Sequence, residues 1–156
     1  MKPEKIEKIL IPYTGKELPK KAEEEALKRL EKGGKLFLLH VIDEAPKRSL
    51  RYRTGQIGEE SQIVKTFEET MSKTQEKEAK KYVEEVKERA ANKGISVEAI
   101  YTEGSPGEET VKAVSEHSIQ LVLIEKIRNK LTEIFAGDEV DYIDSNVPCG
   151  IKTVPA

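Results

Sequence analysis

The sequence predicts an α/β fold, in which a parallel β-sheet is covered by helices on both faces. Short aliphatic segments alternate along the chain with segments of helical periodicity, and this order is typical of strands joined by right-handed helical crossovers. The chain has 156 residues, of which 37% are apolar. That length and composition predict a single domain over residues 1–156, with enough apolar material for one core.

Five aliphatic segments are predicted as strands, and they cover residues 7–13, 36–42, 95–101, 119–124 and 148–154. The third of them alternates apolar and polar residues, so we expect it near a sheet edge. Segments of helical periodicity cover residues 18–32, 61–92, 106–117 and 138–145. Gly33 and Gly34 are expected to end the first helix, while Ser105 and Pro106 are expected to cap and begin the third.

The fourth predicted strand and the segment after it are the most informative part of the chain. Leu121 to Ile124 is aliphatic throughout, which suits a central strand covered on both faces. Glu125 to Leu131 follows at the carboxyl end of that strand, where an α/β fold places its ligand loop. No glycine occurs before Gly137, although loops that bind phosphate need glycine for close approach of backbone N–H groups. The position is that of a nucleotide loop, but its glycines are missing.

The order of five short segments resembles the universal stress protein family over nearly the whole chain. These segments are Lys8-Ile9-Leu10-Ile11-Pro12, Leu38-Leu39-His40-Val41, Glu103-Gly104-Ser105-Pro106, Leu121-Val122-Leu123-Ile124 and Val147-Pro148-Cys149. The resemblance implies a three-layer, flavodoxin-like sandwich of the adenine nucleotide alpha hydrolase type. Its five-stranded parallel sheet would have the order 3-2-1-4-5. The resemblance also implies a homodimer formed through the last strand.

One branch of that family binds ATP, with a pattern of Gly, two residues, Gly, nine residues and Gly-Ser or Gly-Thr after the fourth strand. Placed on this chain, the first two glycines fall on Glu125 and Arg128. The final pair falls on Gly137 and Asp138, with the intervening stretch one residue short. The aspartate that the family keeps after its first strand corresponds to Thr14. The resemblance therefore implies that most phosphate-facing positions are lost.

Three positions that the resemblance places in the site are kept, namely Gly15, Val41 and Gly137. The equivalent of Val41 borders the adenine, and Gly137 is the one phosphate-facing residue of the loop that is kept. We therefore predict a degenerate nucleotide site formed by Pro12, Tyr13, Thr14, Gly15, Val41, Glu125, Arg128, Gly137 and Asp138.

The negative charge of Glu125 disfavours nucleotide binding at this site. A carboxylate about 4–6 Å from a phosphate, at an effective dielectric near 20, costs roughly 3–4 kcal/mol before screening. That corresponds to a loss of about two to three decades in affinity. Lys126, Arg128 and Lys130 act in the opposite direction, as flexible cations that attract an anion. Our hypothesis is that the chain has no ATP cofactor in the usual mode. The alternative is a nucleotide-binding protein with a rebuilt phosphate loop.

Other candidate residues favour structural interpretations. His40 is interpreted as a hydrogen-bonded structural histidine, because no Ser or Cys motif accompanies it. His117 suits a helix end, and Cys149 is interpreted as a small buried hydrophobe rather than a redox thiol. Asp138, Asp141 and Asp144 share one helix face, where a solvated surface is favoured over a metal site.

Two loop segments keep alternative interpretations. Residues 47–53 are basic with one tyrosine, which favours a solvated loop, with a partner or second-subunit contact as the functional interpretation. Asn129 to Gly137 either folds over the cleft or anchors the short helix to the core.

Composition excludes several functional classes. The net charge of −2 argues against nucleic acid as a partner, and no apolar run is long enough to span a membrane. The first residues lack the apolar segment of a signal peptide, and the single cysteine excludes an internal disulfide, so we expect a cytoplasmic protein. No set of residues supports an enzyme, and weak ATP hydrolysis ranks last among the hypotheses. We expect a stress-response or regulatory module that acts through a protein partner or a small ligand.

Overall fold

The computed structural model describes residues 5–13, 18–42, 77–126 and 137–155. These residues form five strands, β1 (Ile6–Tyr13), β2 (Leu30–Ile42), β3 (Ser96–Glu103), β4 (Leu121–Lys126) and β5 (Gly150–Pro155). All neighbouring strands pair in parallel, in the order β3-β2-β1-β4-β5. The predicted fold class and strand order are confirmed.

Four helices accompany the sheet in the described ranges, α1 (Lys20–Arg29), α2 (residues 77–91), α3 (Pro106–His117) and α4 (Gly137–Asn146). The side chains of α1 and α2 join one buried cluster, and those of α3 and α4 join another. Each helix pair therefore covers its own face of the sheet, as the right-handed crossover rule requires for this strand order. In the part of the chain that the structure describes, no helix is long and apolar enough to cross a membrane.

Successive side chains along each strand point to opposite faces of the sheet. Ile9, Ile11 and Tyr13 of β1 face α1 and α2, while Leu10 faces α3 and α4. The same alternation continues on β2 and β4. The predicted apolar face of the long helix is confirmed for its described part, where Ala79, Tyr82, Val83, Val86 and Ala90 are buried. Its predicted residues before 77, and the connection at 43–60, lie outside the described residues.

The predicted boundary between the first helix and the second strand is wrong. The helix ends at Arg29, and β2 begins at Leu30, which already pairs with Ile6 of β1. Gly33 and Gly34 do not end the helix but lie in an irregularity of β2, because the next β1 residue in register, Lys8, pairs with Lys35. A side chain at Gly34 would meet backbone oxygens of Glu31 and Glu7 at about 3 Å, so this bulge needs glycine there.

Two further local predictions need correction. Ser105 occupies the N-cap position before Pro106, as predicted, but its side chain makes no capping hydrogen bond. The fourth strand does not end at Ile124, because Glu125 and Lys126 continue β4 in register with Val154 and Pro155. Glu125 is therefore a strand residue and not the first residue of a loop.

Candidate functional site

Strands β1 and β4 stop pairing before the carboxyl end of the sheet, and the gap between their last residues is called the crevice below. These neighbours pair only at Ile9 with Leu121 and at Leu10 with Val122. β1 stays paired with β2 as far as Tyr13, and β4 stays paired with β5 as far as Lys126. This gap lies where the strand order reverses, which is the point at which open α/β sheets bind ligands.

The last residues of β1 form one wall of the crevice. Pro12 and Tyr13 are both buried, and alternation places Pro12 toward α3 and α4 and Tyr13 toward α1 and α2. The Tyr13 ring lies parallel to the His40 ring with centroids 5.1 Å apart, and it meets the Tyr82 ring edge-on at 5.9 Å. Burial raises the pKa of the Tyr13 hydroxyl well above its usual range, so this group stays neutral.

His40 is buried among structural contacts, but the hydrogen bond predicted for it is not found within the described residues. Its side chain is only 2% exposed, and neither ring nitrogen has a partner among the described residues. The ring is held instead by stacking on Tyr13 and by an edge contact with Tyr101, whose centroid is 5.9 Å away. Burial lowers the pKa of His40, because a charged imidazolium would lose its hydration there.

An ion pair with a buried carboxylate and a half-exposed arginine lies at the first turn of α1, and the sequence pattern did not predict it. Glu23, in the first turn of α1, accepts hydrogen bonds from Arg89 Nε at 2.6 Å and Nη2 at 2.8 Å. The Tyr82 hydroxyl donates to the same carboxylate at 2.9 Å. The signal was present in the sequence, because Glu23 follows Ala22 on the apolar face of a helix, where a carboxylate requires partners.

Glu125 forms the opposite wall of the crevice and does not project into an open loop. Its Oε1 accepts hydrogen bonds from the backbone N–H groups of Lys21 at 2.6 Å and Ala22 at 2.9 Å. These groups belong to the first turn of α1, whose N-cap residue Pro19 offers no side-chain acceptor. A carboxylate from β4 therefore caps a helix that follows β1, across the gap between the two strands.

The structure brings together only part of the predicted nucleotide site. Tyr13 and Glu125 flank the crevice on the face of α1 and α2, whereas Pro12 and the fully buried Val41 lie on the opposite face. Gly137 and Asp138 are the first two residues of α4. The remaining predicted residues, Thr14, Gly15 and Arg128, lie outside the described residues. The basic segment 47–53 and the segment 129–136 lie outside them as well.

The other candidate residues have structural surroundings. Cys149 is half-buried against the core under α3 and α4, and burial raises the pKa of its thiol. His117 Nδ1 lies 3.8 Å from a Glu98 carboxylate oxygen. Asp141 and Asp144 are exposed. Within the described ranges no group of three or more His, Cys, Asp or Glu side chains is arranged to hold a metal ion.

Comparison with known proteins places this architecture in a family. The model of the universal stress protein family matches residues 5–155. Universal stress protein YxiE of Bacillus subtilis is 29% identical over 118 residues, which are 75% of this chain and 76% of that protein. Universal stress protein MJ0577 of Methanocaldococcus jannaschii is 29% identical over 122 residues, or 75% of each chain.

Solved structures agree with the sequence comparisons. The structure of MJ0577 superposes with a TM-score of 0.71 and 22% identity, covering 97% of this chain and 96% of that one. UspA from Lactobacillus plantarum superposes with a TM-score of 0.69 and 14% identity, covering 97% and 99%. These two likenesses show the shared fold, while the family model matches nearly every residue of the chain. The chain belongs to the universal stress protein family.

Proposed function

We propose that this universal stress protein is a stress-response binding module that does not bind ATP in the family's usual mode. One observation carries the proposal. Glu125, which aligns with the first glycine of the ATP-binding pattern, is committed to two hydrogen bonds with the first turn of α1. A glycine at this position would leave backbone free to approach a phosphate, whereas this carboxylate presents a negative charge to it.

A calorimetric titration of ATP with Mg²⁺ into nucleotide-stripped protein tests this proposal. We expect no saturable heat at about tens of micromolar protein, because at least one like-charge contact opposes the phosphates. MJ0577, titrated in parallel, serves as a relative that carries the same fold. Saturable binding with micromolar affinity would overturn the proposal.

The alternative proposal is a nucleotide-binding protein with a rebuilt loop. One universal stress protein of the same fold was solved in complex with cAMP, and another, from Arabidopsis thaliana, with AMP bound. Both share less than a fifth of their residues with this chain, at 12% and 16% identity. Titrations with AMP and cAMP belong beside the ATP titration, because a monophosphate places less negative charge near Glu125. Binding of either one would favour this alternative.

We also propose that the chain is not an enzyme. The two described groups that most resemble catalytic candidates are poorly placed for it. His40 is stacked and buried, and burial raises the pKa of Cys149, which disfavours its thiolate. A steady-state assay for phosphate release from Mg²⁺-ATP tests this. Turnover that increases in proportion to protein and survives repurification would contradict it.

A homodimer through β5 is the assembly we propose, with the cytoplasm as its compartment. β5 is an outer strand of the described sheet, and an unpaired edge invites a partner strand. The sequence of this strand suggests apolar side chains at alternate positions, but its two partly buried aliphatic residues, Ile151 and Val154, are three positions apart. Ile151 packs toward the core under α3 and α4, and Val154 packs toward the other core. The exposed Thr153 remains available for contact with a second copy.

Light scattering with edge variants tests the dimer. The unaltered protein should have twice the mass of one chain at micromolar concentration, and Thr153→Lys should shift it to monomer, because symmetry brings the new charges close together. Ser96→Lys is the matched control, since it adds the same charge at an exposed position on the opposite edge strand, β3. A monomeric unaltered protein, or a dimer unaffected by Thr153→Lys, would contradict this interface.

A further inference from the structure

Aromatic side chains form a row across β1, β2 and β3 on the face that α1 and α2 cover. Tyr13 pairs with His40, and His40 pairs with Tyr101, so these residues lie at one level near the carboxyl end of the sheet. Their rings contact one another in that order, and Tyr82 of α2 contacts Tyr13, with centroids 5.1 to 5.9 Å apart. These four residues are called the aromatic row below. They lie at the end of the strands where α/β sheets bind their ligands.

The two central members of the row carry buried polar atoms that lack hydrogen bonds. Tyr13 and His40 are only 4% and 2% exposed. Neither the Tyr13 hydroxyl nor either ring nitrogen of His40 has a hydrogen-bond partner among the described residues. Such atoms lose free energy on burial, and in native proteins a water or a ligand usually satisfies them. The row therefore offers donors and acceptors that the described part of the chain leaves unused.

Both of these groups are uncharged at neutral pH, which restricts the kind of molecule that they can hold. Burial raises the pKa of Tyr13, and the nearby Tyr101 raises it further. Burial lowers the pKa of His40, so its neutral imidazole has one N–H donor and one nitrogen acceptor. The carboxylate beside the row, Glu23, is already paired with Arg89. A charged ligand would therefore be buried without a counter-charge from these side chains.

The row also has a solvent-facing border and a separate location. Tyr101, at its outer end on β3, is 47% exposed, so the row extends from the core to the surface. Its walls are rings, against which a flat apolar molecule packs well. Val41, which the family resemblance places beside the adenine, is fully buried on the opposite face of the sheet. The row is therefore distinct from that adenine position.

We propose that the aromatic row binds a small uncharged aromatic molecule of the phenol class, whose hydroxyl group forms hydrogen bonds with Tyr13 and with one ring nitrogen of His40. A phenol is flat and apolar, it is uncharged at neutral pH, and its hydroxyl both donates and accepts. It can therefore accept from the Tyr13 hydroxyl and donate to the unprotonated nitrogen of His40. The inference rests on the proposed binding function and supplies a class of ligand for it.

Titration with phenol, followed by NMR of the histidine rings, tests the inference. The chain has two histidines, and His117, which packs against Phe37 on the other face, is the internal control. We expect phenol to shift the His40 resonances saturably at about millimolar concentration and to leave those of His117 unchanged. Toluene has the same shape without the hydroxyl, so it should bind at least about tenfold more weakly. Benzoate should not bind, because its charge has no free partner there.

A variant tests whether the Tyr13 hydroxyl takes part. Tyr13→Phe should weaken phenol binding by about fivefold and reduce the preference for phenol over toluene. Tyr142→Phe is the matched control, because it removes the same group from an exposed tyrosine on α4 and should leave phenol binding unchanged. His40 resonances that do not respond to phenol, or equal affinities for phenol and toluene, would overturn the inference. Either result would leave the proposed absence of ATP binding intact, which the ATP titration tests separately.

Discussion

The two faces of the sheet are buried by different means. The layer of α1 and α2 contains two of the three polar residues buried in the described chain, Glu23 and His40. The layer of α3 and α4 contains the third, Thr110, whose hydroxyl donates to Pro106 O within its own helix. The α1 and α2 layer is therefore held by hydrogen bonds and ring stacking in addition to apolar burial. The α3 and α4 layer is held almost entirely by apolar burial.

This difference shows where the molecule is specialised. The directional contacts of the first layer converge on the first turn of α1, where Glu23 meets Arg89 and Tyr82 and where Glu125 caps the helix. Buried polar groups rarely add net stability over apolar ones, but they fix geometry because they tolerate few arrangements. The first layer thus sets the position of α1 beside the crevice, while the second is held mainly by apolar burial.

The largest effect is expected in the apolar layer. Leu39→Ala removes a fully buried side chain from the core under α3 and α4, which should lower the free energy of unfolding by about 3 kcal/mol. Urea denaturation measures this loss. Val111→Ala, at a half-buried position of the same layer, should lose clearly less. Equal losses for the two variants would show that burial does not govern this layer.

Breaking the ion pair should have the next largest effect. Arg89→Ala leaves the Glu23 carboxylate, 4% exposed, with the Tyr82 hydroxyl as its remaining side-chain partner among the described residues. We expect a loss of about 2–3 kcal/mol, below the usual range for buried pairs because Arg89 itself is half-exposed. Arg29→Ala breaks the more exposed pair with Glu25 and should cost less than about 1 kcal/mol.

A double variant tests whether the ion pair of Glu23 and Arg89 stabilises the fold or only fixes the position of α1. Glu23→Leu combined with Arg89→Met, made in a Tyr82→Phe background, removes both charges and the hydroxyl that donates to Glu23, and leaves apolar groups of similar size. Stability close to that of the unaltered protein would support a geometric role, because no unpaired charge remains buried. A loss as large as that of Arg89→Ala alone would contradict this interpretation.

His40 should make stability fall with decreasing pH. Because its pKa is lowered in the folded state, the unfolded chain takes up a proton first as the pH drops below 6.5, the ordinary value. Stability should therefore decrease from about pH 6.5 down to the folded-state pKa, by at most about 1.4 kcal/mol per pH unit. Denaturation at several pH values checks the slope, which His40→Leu should abolish.

The carboxylates act in a separate pH range. Arg29 and Lys35 hold the pKa values of Glu25 and Glu98 below their usual range, so their contributions are present above pH 4.5 and are lost as the pH falls further. A slope between pH 5 and 6.5 that persists in His40→Leu would contradict the assignment to His40, because neither carboxylate titrates there.

The smallest changes in stability are expected from removing the hydroxyl groups of two buried tyrosines. Tyr82→Phe removes a hydroxyl that donates to Glu23 and should cost about 1 kcal/mol. Tyr13→Phe removes a hydroxyl without a partner among the described residues and should be neutral or slightly stabilising. Thermal unfolding of both variants measures the difference. A larger loss for Tyr13→Phe would mean that its hydroxyl has a partner in solution.

Much of the fold could be predicted because it depends on local pattern. Aliphatic runs such as Leu121 to Ile124 are long enough to indicate strands without knowledge of their neighbours, and the helix of residues 77–91 shows its buried face through spacing alone. The predicted helix end at Gly33 and Gly34 was wrong, because a pair of glycines is equally compatible with a helix end and with a strand bulge. Only the pairing of Leu30 with Ile6 decides between them.

The candidate site was predictable only in part. Its position at the carboxyl end of β4 follows from the strand pattern, and the loss of glycine at Glu125 is visible in the sequence. The partners of Glu125 were not predictable, because Lys21 and Ala22 offer backbone groups that carry no side-chain signal. The stacking of His40 on Tyr13 was likewise hidden, since it requires the register of β1 against β2.

Three properties could be read from the amino-acid sequence: the fold class, the strand order through the family resemblance, and the absence of glycine where the family's phosphate loop begins. These properties depend on periodicity and residue type, which are local. Tertiary packing was needed to establish that Glu125 caps α1, that Glu23 is paired, and that Tyr13 and Val41 lie on opposite faces of the sheet. Such contacts join residues far apart in the chain, and strand register and helix placement fix them together.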